Sequence, residues 1–104
     1  MILPVEFSAE ATVELAEAAA WYESQRSGYG ETFLAAVDAA ADQCGRWPRS
    51  GPLVEDLTSR GEVRRAPIAR FPFHVAYLVT EDHILVLAIA HDRRRPGYWS
   101  DRAE

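Results

Sequence analysis

Leu3, Val5 and Phe7 alternate with Pro4 and Glu6, and this period of two predicts a short strand, with Pro4 at a strand start or sheet edge. Ser8 stands before Ala9-Glu10-Ala11 as a helix N-cap, with Glu10 beside the positive helix end. The helix runs from Ala9 to Gln25, and Leu15, Ala18, Ala19 and Tyr22 form its buried stripe. Glu10, Glu14 and Glu17 fall on the opposite, solvated side. Ser27-Gly28-Tyr29-Gly30 breaks the helix, and a second runs from Glu31 to Arg46 with Phe33, Val37, Ala40, Ala41 and Cys44 inward. The short break makes the pair an antiparallel αα-hairpin.

Trp47-Pro48 ends the second helix. A polar loop from Arg49 to Gly61 follows, with Leu53, Val54 and Leu57 expected to tack it to the body. Three strands complete the chain: Glu62 to Ala66, Phe71 to Val79 and Ile84 to Ala90. The last two are apolar on both sides and belong at the sheet centre, with helices on one face. The pattern is that of an α+β domain spanning residues 1–104: an N-terminal strand, an αα-hairpin, then an antiparallel β-meander.

Composition adds a polarity along the chain. The formal net charge is −5. Residues 1–45 hold eight acids against one arginine, a balance of −7, whereas residues 46–104 hold ten arginines against eight acids, a balance of +2. The N-terminal half is an acidic scaffold, and the C-terminal half concentrates guanidinium groups that can bind phosphate locally. The 11 basic residues are all arginine, which stays protonated and is a poor general base. Proton transfer near neutral pH therefore falls to His74, His83, His91, a carboxylate or a tyrosine. The single cysteine, Cys44, forms no internal disulfide and reads as a small core residue in a reducing, cytoplasmic setting. No signal peptide and no membrane span are expected.

Candidate chemistry lies in the strands. If Glu81-Asp82 is a two-residue loop, His74 stands opposite Ile89 and His91 lies two residues further on the same face. A three-residue loop breaks that arrangement. Together with arginines, two such histidines would suit acid–base cleavage of a phosphodiester; each alone reads as a strand or capping residue. Arg64 and Arg65 are adjacent on a strand and point to opposite faces. Arg70 precedes the central strand, and Arg93-Arg94-Arg95 follows the last one, leading to Pro96-Gly97-Tyr98-Trp99. Guanidinium forks beside aromatic rings suit single-stranded RNA, while Trp99 also reads as a core lid. No metal-ligand spacing or phosphate-binding glycine loop is present, so no metal or cofactor is expected.

Phe71-Pro72-Phe73-His74-Val75-Ala76-Tyr77 resembles the central strand of toxins of the RelE/ParE superfamily. Ile84 to Ala90 followed by His91-Asp92-Arg93-Arg94-Arg95-Pro96-Gly97-Tyr98-Trp99 resembles their last strand and C-terminal segment, and Ala9 to Tyr22 fits their first helix. The resemblance implies the toxin of a type II toxin–antitoxin module that causes growth arrest. It also implies a small antitoxin partner whose flexible segment folds on binding. RelE-like members cut mRNA on the ribosome, ParE-like members poison DNA gyrase, and a diverged member can keep the antitoxin interface alone. The scaffold does not choose among these. For RNA cleavage the resemblance nominates Arg65, Arg70, Arg93 and Arg94 for phosphate, His74 and His91 for proton transfer, and Tyr98 to stack on or orient a base. The lysines of the best-known nucleases are absent, and His74 stands about where they carry an arginine.

Overall fold

The computed structural model describes residues 2–55 and 61–103. Its elements are β1 (Val5–Phe7), α1 (Ala9–Gln25), α2 (Tyr29–Arg46), β2 (Leu53–Glu55), β3 (Glu62–Pro67), β4 (Phe73–Val79), β5 (Ile84–His91) and a 3-10 turn at Ser100–Ala103. The helical hairpin and the antiparallel strands β3, β4 and β5 stand where the hydrophobic pattern puts them. The sheet is larger than a three-stranded meander, with order β1-β5-β4-β3-β2. β1 adds to it in parallel, pairing Val5 with Ile84 and Phe7 with Val86.

β2 lies within the segment read as loop. It pairs Leu53 with Arg64 at the other edge of the sheet. Leu53 and Val54 do not tack this segment down, being 46% and 42% exposed. Polar contacts hold it instead. Tyr77 Oη donates to Pro48 O at 2.9 Å, Arg64 Nη1 to Gly51 O at 2.7 Å, and Arg65 N to Pro52 O at 3.2 Å. Leu57, Ser59 and Arg60, which belong to the same expected loop, lie outside the described residues.

The helical hairpin follows its local chemistry. Ser8 Oγ accepts the Ala11 amide at 3.1 Å, satisfying one of the orphan donors at the start of α1. Gly28 takes the left-handed conformation (φ 86°) that turns the chain into α2. The Glu23 carboxylate then accepts the Gly28 and Gly30 amides at 3.0 Å, capping α2 from the preceding helix. A Cβ at Gly30 would sit 2.7 Å from Ala19 O, so only glycine permits this helix–helix approach.

The sheet is buried on both faces. Towards the helices, Phe33, Val37 and Cys44 pack on Val75, Tyr77, Ile84, Val86 and Ile89. Tyr22 joins them, its ring 5.2 Å from Phe33 and 4.9 Å from Phe71. Burial pushes the Cys44 thiol up to about 11, as befits an inert core cysteine. On the other face Val63, Ala76, Leu78, Leu87, Ala88 and Ala90 are covered by Trp99 and Ala103, so Trp99 is the lid of a second core. Each fully buried Val, Leu or Ile in these layers contributes about 2 kcal/mol.

β5 contains a bulge that decides where the site residues point. From the turn, Val79 pairs with Ile84, Leu78 with Leu85 and Tyr77 with Val86, as a two-residue loop requires. The register then slips, and Ala76 pairs with Ala88, leaving Leu87 as the extra residue. His74 therefore faces Ala90, not Ile89, and His91 faces Phe73. The expected pairing of two histidines on one face is overturned, although the turn that motivated it is present.

Candidate functional site

Beyond the bulge, the end of the sheet near Pro67, His74 and Ala90 gathers the unusual side chains. On the face away from the helices, Pro52, Arg65, Pro67, His74 and Asp92 line an open cleft of about 460 Å³. β3 supplies Arg65 and Pro67, β4 supplies His74, and Asp92 follows β5 directly. Asp92 is held against the β3–β4 turn by its amide, which donates to Pro72 O at 2.8 Å. Its Oδ1 lies 2.9 Å from His74 Nδ1. Among the described residues Arg65 has no ion-pair partner, so its charge is available in the cleft.

Arg64 shows the other outcome. It points to the helix side, as alternation requires, and is consumed there. Besides Gly51 O, its Nη1 reaches Arg49 O at 3.3 Å and its Nη2 reaches Glu62 Oε2 at 3.5 Å. Arg65 was thus the member of the pair free to meet a ligand.

The remaining nominated residues divide. His91 sits on the helix face, its ring 5.0 Å from Phe73, and its Nδ1 accepts the Arg93 amide at 3.1 Å. It caps the turn after β5 and does not share the cleft with His74. Arg70 and Arg93 are exposed at the same sheet end, one in the β3–β4 turn and one after β5. Arg70 holds a left-handed backbone (φ 73°), where an L side chain is strained.

Arg94 lies over the Tyr98 ring, its guanidinium carbon 4.0 Å from the centroid. The Tyr98 hydroxyl donates to Glu14 Oε2 at 2.8 Å. Burial pushes Tyr98 up to about 12, and the Glu14 hydrogen bond pushes in the same direction. Tyr98 is therefore protonated at neutral pH, with its hydroxyl and one ring face engaged.

Glu14 was expected on a solvated helix face. Instead, its side chain is only 13% exposed. Besides Tyr98, its carboxylate accepts Ile89 N at 3.1 Å and Arg102 Nη1 at 3.0 Å. It satisfies the edge of β5 where β1 has ended, and it ties the C-terminal segment to α1. No local pattern marks Glu14, because all three partners are more than 70 positions away. Asp92 was also missed; its only signal is a lone acid between His91 and three arginines.

A helical hairpin on one face of a mostly antiparallel sheet is the scaffold of small RelE/ParE-type toxins. Residues 5–96 match the family model described as ParE toxin of type II toxin-antitoxin system, parDE, and the chain belongs to that family. Among solved structures it is similar to one described as a chromosomal ParDE TA system from P. aeruginosa. The TM-score is 0.64 at 17% identity, covering 86% of this chain and 96% of the other. It is also similar to a YoeB dimer from Staphylococcus aureus, with a TM-score of 0.56 at 14% identity, covering 86% and 97%. No curated protein sequence matches the chain. The chain is thus a type II toxin-antitoxin toxin with a cognate antitoxin as partner. Among the described residues no helix is long and apolar enough to cross a membrane.

Proposed function

We propose that this toxin arrests growth in the cytoplasm by cutting ribosome-bound mRNA at the cleft of Arg65 and His74. The observation that carries the reading is the juxtaposition of an arginine without an ion-pair partner among the described residues and a histidine whose Nδ1 is already engaged by Asp92. Arg65 would bind the scissile phosphate, with Arg70, Arg93 and Arg94 as further phosphate contacts at the same sheet end. His74 Nε2 would take the proton of the 2′-hydroxyl. The 2′-oxygen attacks phosphorus, the bond to the 5′-oxygen breaks, and that oxygen takes a proton from water. Inducing wild type and a His74→Ala, Arg93→Ala variant and mapping transcript ends tests it. New 5′ ends in the wild type alone support the reading, and equal toxicity without new ends in either culture overturns it.

A second reading is a non-enzymatic gyrase poison. It is favoured by the placement of His91 on the opposite face and by the engagement of Tyr98 with Glu14, which leave His74 as the one nominated proton-transfer residue in the cleft. It predicts blocked supercoiling by purified gyrase with transcripts intact. Unchanged supercoiling at high toxin excess excludes it.

A further inference from the structure

Asp92 stands next to three consecutive arginines, yet among the described residues its only ion-pair partner is His74. A carboxylate in that setting has stronger, permanently charged partners within reach along the chain. Instead the Asp92 amide is pinned to Pro72 O, its carboxylate lies against His74, and the Arg94 guanidinium is drawn onto Tyr98. The carboxylate is left 55% exposed at the cleft mouth, while the His74 side chain beside it is only 18% exposed. His74 is thus largely covered, its ring is fixed from one side, and its Nε2 has no hydrogen-bond partner among the described residues.

An uncharged imidazole carries its proton on one nitrogen only. A carboxylate at Nδ1 accepts a hydrogen bond and so selects the Nδ1–H form, which places the basic lone pair on Nε2. We infer that Asp92 is the positioning residue of this cleft, holding His74 in the Nδ1–H tautomer with a basic Nε2 towards the phosphate bound by Arg65. This deepens the cleavage reading and names its missing component. Without Asp92, the imidazole favours the opposite tautomer and offers an N–H where a base is needed. Asp92 acts through His74 and touches no reacting atom.

The test separates the two claims. ¹⁵N chemical shifts of the His74 ring, read at a pH where the ring is neutral, report the tautomer independently of any RNA chemistry. The wild type should show Nδ1–H, and Asp92→Ala should show predominantly Nε2–H. Asp92→Asn, of the same size, can donate its amide to a bare Nδ1 and should also release the Nε2–H form. It serves as the second variant should Asp92→Ala fold poorly. Transcript cleavage should fall about 100-fold in either variant, the low end of general-base effects. An Nε2–H tautomer in the wild type, or an unchanged tautomer in a folded variant, overturns the inference whatever happens to RNA. Intact transcripts with the wild type overturn the cleavage reading, while the tautomer still decides the role of Asp92. Cleavage that is equally fast in all three proteins, with the tautomer switched, also overturns the inference.

Discussion

On the helix-covered face of the sheet, Arg64 reaches the carbonyls of Arg49 and Gly51 and the Glu62 carboxylate, and His91 rests on Phe73. On the other face, one residue along each strand end, Arg65 has no acidic partner among the described residues and His74 opens onto a cleft. The residue types are the same and their neighbours differ. The helix side offers backbone carbonyls and rings that use up polar groups as structure. The other side offers two prolines and an exposed aspartate, which leave charge and a basic nitrogen accessible. Function is therefore read better from what surrounds an arginine or histidine than from its presence.

The contrast can be broken most severely at Glu14, which joins the two sides through α1, β5 and the C-terminal turn. Glu14→Ala leaves the Ile89 amide without its acceptor and Arg102 with only Leu87 O, and should cost about 3 kcal/mol in chemical denaturation. A loss under about 1 kcal/mol would show that Trp99, Ala103 and the Arg102–Leu87 contact suffice to hold the C-terminal segment. Next comes the arginine pair. Arg64→Ala should cost about 2 kcal/mol by removing charge-assisted hydrogen bonds to the Arg49 and Gly51 carbonyls that hold the segment before β2. Arg65→Ala should stay within about 0.5 kcal/mol yet lower toxicity, since among the described residues its side chain has no ion-pair partner. Equal destabilisation of the two would erase the distinction between the faces.

Arg70→Gly relieves the left-handed strain at the β3–β4 turn, partly offset by glycine entropy, for a net gain of about 0.5 kcal/mol. The same change should weaken toxicity if the guanidinium contacts phosphate. A variant that is both more stable and fully toxic would leave Arg70 without a role in binding.

The smallest effect is alkaline. Burial, the larger cause, raises both Tyr77 and Tyr98 to about 12. A group whose folded value is raised contributes stability below its unfolded value near 10 and loses it as pH climbs towards 12. Wild-type Tm should fall across that window, less steeply in Tyr98→Phe. Identical slopes would place Tyr98 in a more solvated setting than the Glu14 contact implies.

Much of this was legible from the chain. The helices carry 3.6-residue stripes and Ser8 marks the start of the first, so α1 begins at Ala9 and ends at Gln25 as its pattern indicates, whereas α2, without a side-chain cap, begins at Tyr29, two residues before the expected Glu31. The apolar runs of β4 and β5 declared the sheet centre. β2 was not legible, because it is three residues long, exposes its apolar side chains and is held by carbonyl contacts. The bulge was hidden for a different reason. Leu87 and Ala88 are both apolar in a strand buried on both faces, so no in–out alternation records which of them is extra. The site inherits both patterns. Strand alternation set Arg64 and Arg65 on opposite faces without choosing between them, and the family resemblance with residue chemistry nominated Arg65 and His74. Asp92 and Glu14 acquire their roles only when distant segments meet.

That extra residue also bears on how the strand tolerates a change in length. A strand has a two-step phase, and one added residue inverts the phase of everything after it. Each residue from Ala88 to His91 therefore shows the face opposite to the one an unbroken count from the turn assigns. Removing Leu87 would leave Ala88 opposite Ala76 and His91 opposite Phe73 in a regular ladder, so His74 keeps the cleft and His91 keeps the helix face. The bulge is thus a slack link: it takes up one residue of β5 without changing which side chains the sheet end presents.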